Sequence, residues 1–151
     1  MCVAATVALA ALGGWTGYRE LRLQHDRQTR TEMLTAASQG AVDLTTIDVA
    51  TVDADVKRIL DASAGTFHDD FAERSQPFVD AVKQAKSKTE GTVTAAALES
   101  LDGSDAKVLV AVSVATSNAG QDDPGPRSWR MRISVHKSND TVKVTDVQFV
   151  S

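Results

Sequence analysis

At Gly91 the hydrophobic period of this chain changes, and that change fixes the class of fold open to it. Upstream the apolar residues recur at helical intervals: Val52, Val56, Ile59 and Leu60 follow spacings of four, three and one, Phe67 and Phe71 repeat at four, and Phe78, Val82 and Ala85 share a face. Downstream they alternate: Val108, Val110, Val112 and Val114 occupy one face of a long strand. In the next strand Trp129, Met131, Ile133 and Val135 face a core while Arg130, Arg132, Ser134 and His136 face water. Helices first and a run of connected strands afterwards make an α+β fold, with the helices packed on one face of a curved four-stranded antiparallel sheet.

Local signals place the boundaries. Strands are predicted over Thr92–Leu101, Ala106–Ser117, the stretch around Trp129, and Val142–Val150; Asp102-Gly103 and Ser138-Asn139-Asp140 are turn sequences, and 118–127 reads as a mobile loop. Val142 and Val144 are out of phase with Val147 and Phe149, so keeping all four inward requires one extra residue near Thr145-Asp146, a β-bulge. Among the helices, Gly40 is predicted to end the first, with Leu44–Asp48 as a connection. Thr51 or Asp53 is expected to cap the next, which Gly65 ends, and Thr66 with Asp69 forms an acidic variant of the capping box for the one after. Pro77 predicts a kink or a boundary.

The N-terminus sets a second constraint. Residues 1–18 carry no charged side chain, are mostly Ala, Val and Leu, and end in Trp15 and Tyr18, as an interfacial anchor does. A helix over this run covers roughly 25 Å against a hydrocarbon core of about 30 Å, one turn short, so the expectation is an anchor whose beginning lies upstream of Met1. A cleaved signal peptide is disfavoured because no basic residue precedes the run. Between Gln24 and Glu32 there is no apolar residue, which predicts a solvated helical stalk over 19–40 and a folded domain over 41–151. Arg19, Arg22, Arg27 and Arg30 alone would put that domain in the cytoplasm, but interspersed acids leave topology open.

Chemistry is sparse. Sixteen basic and twenty acidic residues give a net charge of −4, no electrostatic footprint for nucleic acid. The single cysteine, Cys2, lies in the apolar run, so the domain has no thiol for a disulfide, zinc or nucleophilic attack. No glycine-rich phosphate loop, G-x-S-x-G, H-E-x-x-H or C-x-x-C is present, and no cofactor is expected. The best catalytic constellation, His68-Asp69-Asp70, reads more simply as acids favouring a helix N-terminus. Arg127, Arg130, Arg132 and Lys143 form a candidate surface for an acidic partner or lipid headgroups, against the simpler reading of a solvated sheet face. Phe67, Phe71, Phe78, Trp129 and Met131 are candidate core, or the lining of an apolar pocket between helices and sheet. Asn139-Asp140-Thr141 matches a glycosylation sequon and is read as a turn.

Four stretches carry a family resemblance: Ala36-Ala37-Ser38-Gln39-Gly40-Ala41-Val42-Asp43-Leu44-Thr45-Thr46-Ile47-Asp48, Val52-Asp53-Ala54-Asp55-Val56-Lys57-Arg58-Ile59-Leu60-Asp61, Gly65-Thr66-Phe67-His68-Asp69-Asp70-Phe71, and Pro126-Arg127-Ser128-Trp129-Arg130-Met131-Arg132. Through them the chain resembles the Mce-associated membrane proteins of mycobacteria and related actinobacteria. The resemblance implies an N-terminal anchor, a domain outside the cytoplasm, and a cone-shaped fold similar to nuclear transport factor 2-like domains and to the periplasmic scaffold of type IV secretion systems. It also implies a non-enzymatic accessory role, with the membrane and Mce lipid-import transporters as partners and lipid as a further candidate. A ligand-binding or isomerase-like cone is the alternative, and it needs an open pocket with an inward acid or base.

Overall fold

The computed structural model describes residues 26–118 and 125–150. The chain divides into two compact units, Met1–Glu32 and Met33–Ser151. Of the first, residues 26–32 are described and are helical, with Gln28 donating to Glu32 and the Thr31 hydroxyl to the Arg27 carbonyl. The expected anchor over 1–18 lies outside the described residues, as does the stalk up to residue 25. Among the described residues no helix is long and apolar enough to cross a membrane.

The second unit opens with a helix over 33–45, here α1. Met33, Ala37, Ala41 and Thr45 recur at four, and all are buried. Gly40 does not end this helix. It is buried within it, and an added Cβ would lie 2.7 Å from Val144 Cγ2, so glycine is there because the helix backbone passes close to a strand. The stretch expected to be a connection is the end of α1 followed by a short strand, β1 (Ile47–Asp48). Thr45 Oγ1 donates to the Ala41 carbonyl inside the last turn.

Helices α2 (Val52–Asp61) and α3 (Gly65–Ala85) follow. Neither start uses a side-chain oxygen cap. Gly65 begins α3 instead of ending α2, at φ +62, a conformation that costs glycine little. Pro77 neither ends nor divides α3, which runs through it because Val79 and Val82 on the far side are buried in the same cluster as α2. Packing overrides the local cost. Pro77→Ala is therefore expected to raise stability by about 1–2 kcal/mol, read by chemical denaturation: the regained helix hydrogen bond outweighs the added freedom of the unfolded chain.

From Lys88 the chain forms four long strands: β2 (Lys88–Asp102), β3 (Asp105–Ser117), β4 (Arg127–Ser138) and β5 (Thr141–Phe149). With β1 paired to Lys88 and Thr89 the antiparallel sheet has five strands in order β1-β2-β3-β4-β5, not the expected four. A two-residue strand has no alternation to reveal it; it is fixed by the Ile47 N–H donating to Thr89 Oγ1 and by the Asp48–Lys88 ion pair at 3.1 Å. Asp48 is held below the usual carboxylate range, first by the Ala50 N–H and then by Lys88.

The inner sheet face carries Val108, Val110, Val112, Val114, Met131, Ile133 and Val135, each at most 2% exposed, packed with Met33, Ala37 and Ala41 of α1. Burial of each such side chain stabilises the fold by ~1.5–3 kcal/mol. A second cluster joins Ile47, Val52, Val56, Ile59, Val79 and Val82, with Phe67 touching both clusters. The expected bulge is present: Ser134 pairs with Asp146 and Val135 with Val144, leaving Thr145 as the extra residue. It returns Val147 and Phe149 to the phase of Ile133 and Met131, but Phe149 remains 68% exposed at the end of its strand. The outer edge of β5 is partly closed by the α2–α3 link: Val144 N–H donates to Ala62 O at 2.9 Å and Ala64 N–H to Val144 O at 2.8 Å.

Candidate functional site

Three features of the second unit carry polar or concave chemistry. The first joins α1 to α2. Asp43 and Asp55 are buried, and Arg58, one turn after Asp55, reaches both: Nε donates to Asp43 Oδ1 and Nη1 to Asp55 Oδ1, each at 2.9 Å. Asp55 Oδ2 accepts from the Asp48 N–H and the Thr51 hydroxyl, and Gln39 donates to Asp43. Burial opposes the charge on Arg58, but the hydrogen bonds to Asp55 and Asp43 outweigh it and hold the guanidinium above its ordinary pKa. Both Asp55 oxygens and Asp43 Oδ1 thus have donors from within the fold, and the network serves as a latch across the β1 turn. Sequence reading misses it because Arg58 and Asp43 are fifteen residues apart.

The second is a cleft of about 190 Å³ between α1, α3 and the inner sheet face, lined by Leu44, Ile47, Phe78, Val82, Val114 and Trp129 among others. Of the candidate pocket residues, Phe78 and Trp129 line it, Met131 is buried in the core, and Phe67, Phe71 and Phe78 form a row with centroids 6.1 Å apart. Trp129 is not core. It is 40% exposed at the mouth of this cleft, near the start of β4, and meets Phe149 edge-on at 5.7 Å.

The third is the open face of the sheet, on which the pairing stacks successive rows: Thr92, Ser113 and Ser128; Ala95, Ala111 and Arg130; Ala97, Leu109, Arg132 and Gln148; Ser100, Lys107, Ser134 and Asp146; Asp102, Asp105, His136 and Lys143. Two register shifts in β2 leave Thr94 and Glu99 as extra residues and bring Ala95 and Ala97 outward. The expected cationic surface is therefore divided. Arg130 and Arg132 are neighbours, Lys143 lies two rows from Arg132, roughly 13 Å along the strands, and Arg127 pairs with Val114 in the phase of the inner face.

Arg132 is engaged by Glu99 in two bonds of 2.7 and 2.9 Å. The Arg132 hydrogen bonds hold Glu99 below its ordinary pKa, and the same bonds raise that of Arg132. A carboxylate depressed in the folded state contributes stability that is present above its unfolded pKa and is lost as pH falls through its folded one. Glu99→Gln is thus expected to lower stability modestly near neutrality and to leave it unchanged at low pH, so that the curve becomes flatter on its acid limb, measured by denaturation across pH.

At the exposed start of α3, His68 Nδ1 lies 3.1 Å from Asp69 Oδ1, and neither these two nor Asp70 lines the cleft. Among the described residues no cluster of three metal-ligating side chains occurs. Asn139, at φ +54, is a turn residue between β4 and β5.

Comparison with known proteins places these features in a family. Residues 1–151 match the family described as "Uncharacterized protein Rv1363c/MT1408-like", and the chain belongs to it. A relative, protein Rv1363c of Mycobacterium tuberculosis, is 37% identical over 152 residues; the match covers 97% of this chain and 58% of the relative, so the chain spans somewhat over half that protein's length. Among solved structures, the fold is similar to the periplasmic domain of DotI (TM-score 0.64, 15% identity, 78% of this chain and 91% of that one). It is also similar to CagV, a VirB8 homologue of Helicobacter pylori (TM-score 0.62, 10% identity, 80% and 98%), and to VirB8 of Agrobacterium tumefaciens (TM-score 0.58, 11% identity, 82% and 92%). At these identities the fold is what is shared: an α+β domain of the VirB8 kind.

Proposed function

We propose that this member of the Rv1363c/MT1408-like family is a non-enzymatic, membrane-anchored accessory subunit that docks on and stabilises an Mce lipid-import transporter, with its folded domain outside the cytoplasm. The observation that carries the reading is the fold, shared over about four-fifths of the chain with the periplasmic domain of DotI and with a VirB8 homologue of a type IV secretion system. The four sequence stretches resembling Mce-associated proteins supply the transporter. In support of a scaffold, the inner-face strand positions from Val108 to Val114 and Met131 to Val135 are apolar and buried, and the latch uses its charges within the fold. The test is affinity capture of the full chain from crosslinked native membranes, with lipid uptake measured in a deletion strain. Co-purification of Mce subunits and impaired uptake are expected; a transporter that assembles and imports normally without this protein would sink the reading.

The second reading, an extracytoplasmic cone that binds a lipid or other small apolar molecule, is favoured by the cleft between α1, α3 and the sheet. Titration with a fluorescent apolar dye should quench Trp129 if ligands enter there. Unchanged Trp129 emission at saturating dye would dismiss it.

A further inference from the structure

The centre of the open sheet face departs from what an open face ordinarily shows. Such a face is polar, yet Ala95, Ala97, Leu109 and Ala111 form an apolar floor across β2 and β3, with Leu109 36% exposed. With Arg130, Arg132 and Val150 they line a hollow of about 460 Å³. Arg132 is occupied by Glu99, a carboxylate that Lys107 also attracts without an ion pair; among the described residues neither Arg130 nor Lys107, both exposed, forms an ion pair. They lie two rows apart on adjacent strands, roughly 13 Å along the strand direction. The patch therefore offers alanines that let a partner's backbone come close, and one cation outside any ion pair toward each end.

From this we infer that the open face docks an amphipathic, acidic helix of a partner protein, its apolar side on the alanine floor and its carboxylates on Arg130 and Lys107. The span from β2 to β4 is roughly 10 Å, about one helix diameter, and 13 Å corresponds to between two and three helical turns. Charge complementarity selects the acidic partner. An acyl chain fits less well, since a sheet face covers it on one side only, whereas a helix brings its own polar side to meet water. The inference rests on the accessory-subunit reading and supplies the docking surface that reading needs.

The test replaces Ala97 with the photo-crosslinker p-benzoylphenylalanine in the full chain in native cells, with the same replacement at the exposed Lys57 as control, followed by sequencing of the crosslinked segment. The expected result is a single protein crosslinked through a segment with helical apolar periodicity and acidic residues. Arg130→Glu or Lys107→Glu, each checked for an unchanged circular dichroism spectrum, should lower the yield at least fivefold, and a Glu→Lys exchange in the captured segment should restore it. A yield no higher than at Lys57, a crosslink to lipid, to a second copy or to a segment without acidic residues, or indifference to Arg130→Glu would overturn the inference. If Mce subunits co-purify but Ala97 reaches none of them, the docking surface is wrong and the accessory reading stands. Capture of an acidic helix from an unrelated protein would support the docking surface and remove the Mce transporter as its partner.

Discussion

Gly91→Ala is expected to destabilise the domain by about 2–3 kcal/mol and Gly91→Val by more, lowering the thermal midpoint by roughly 10 °C. The sign is the informative part, because glycine inside a strand is ordinarily the weaker choice and alanine the gain. Here an added Cβ would meet Thr45 Oγ1 at 1.8 Å, Thr45 Cβ at 2.6 Å and Val112 Cγ1 at 3.3 Å. The end of α1 lies directly on β2 at this residue, and the Gly91 N–H donates to Thr46 Oγ1 at 3.1 Å. Neither neighbour can yield: Thr45 is buried with its hydroxyl on the Ala41 carbonyl, and Val112 is in the core. Thr45→Ala should relieve part of the clash, so the double variant is expected to lose less than the sum of the singles in denaturant melts. Additive losses would show that α1 and β2 do not make this contact in solution.

Arg58→Met is expected to cost about 2–3 kcal/mol. Removing a partner from a fully buried ion pair costs ~3–5 kcal/mol, and the figure is reduced here because the Arg58 side chain is 43% exposed while those of Asp43 and Asp55 are 7% exposed. The variant leaves two inward carboxylates without their cation. Arg58→Lys should recover only a fraction, since an ammonium cannot bridge Asp43 Oδ1 and Asp55 Oδ1 with a planar fork while also reaching the Thr46 carbonyl. Full recovery by lysine in urea denaturation would mean that charge alone, and not the fork, holds α1 to α2. Because Asp55 also accepts from the Asp48 N–H, the same variants should raise amide exchange at Asp48 and its neighbours in β1.

The latch and the Gly91 contact also mark where sequence reading stops. Gly91 is legible as a change of period but not as a packing site, since the residue that needs its missing side chain, Thr45, is forty-six positions away. Gly40 misleads for the same reason: a glycine near the end of an apolar stripe signals a helix terminus locally, and only the approach of Val144 shows why the helix continues. Pro77 reads as a break because its cost is local and the burial of Val79 and Val82 that offsets it is not.

The cationic surface follows the same rule. Alternation places Arg130 and Arg132 on one face, but pairing Arg132 with Glu99 depends on a β2 register shift that has no local signature, and the neighbours of Arg127 and Lys143 come from other strands. The alanine floor is invisible for want of the same register, because Ala95, Ala96 and Ala97 have no alternation to read.

What the sequence by itself determined is the succession of helices followed by four long strands, the inward phase of β3 and β4, and the bulge at Thr145, because each rests on a period within one segment. The tertiary structure alone decided the fifth strand, the continuity of α1 and α3, the Asp43–Arg58–Asp55 latch and the apolar patch with its flanking cations. Those depend on contacts between segments far apart in the chain, where burial and register, not local propensity, set the energy.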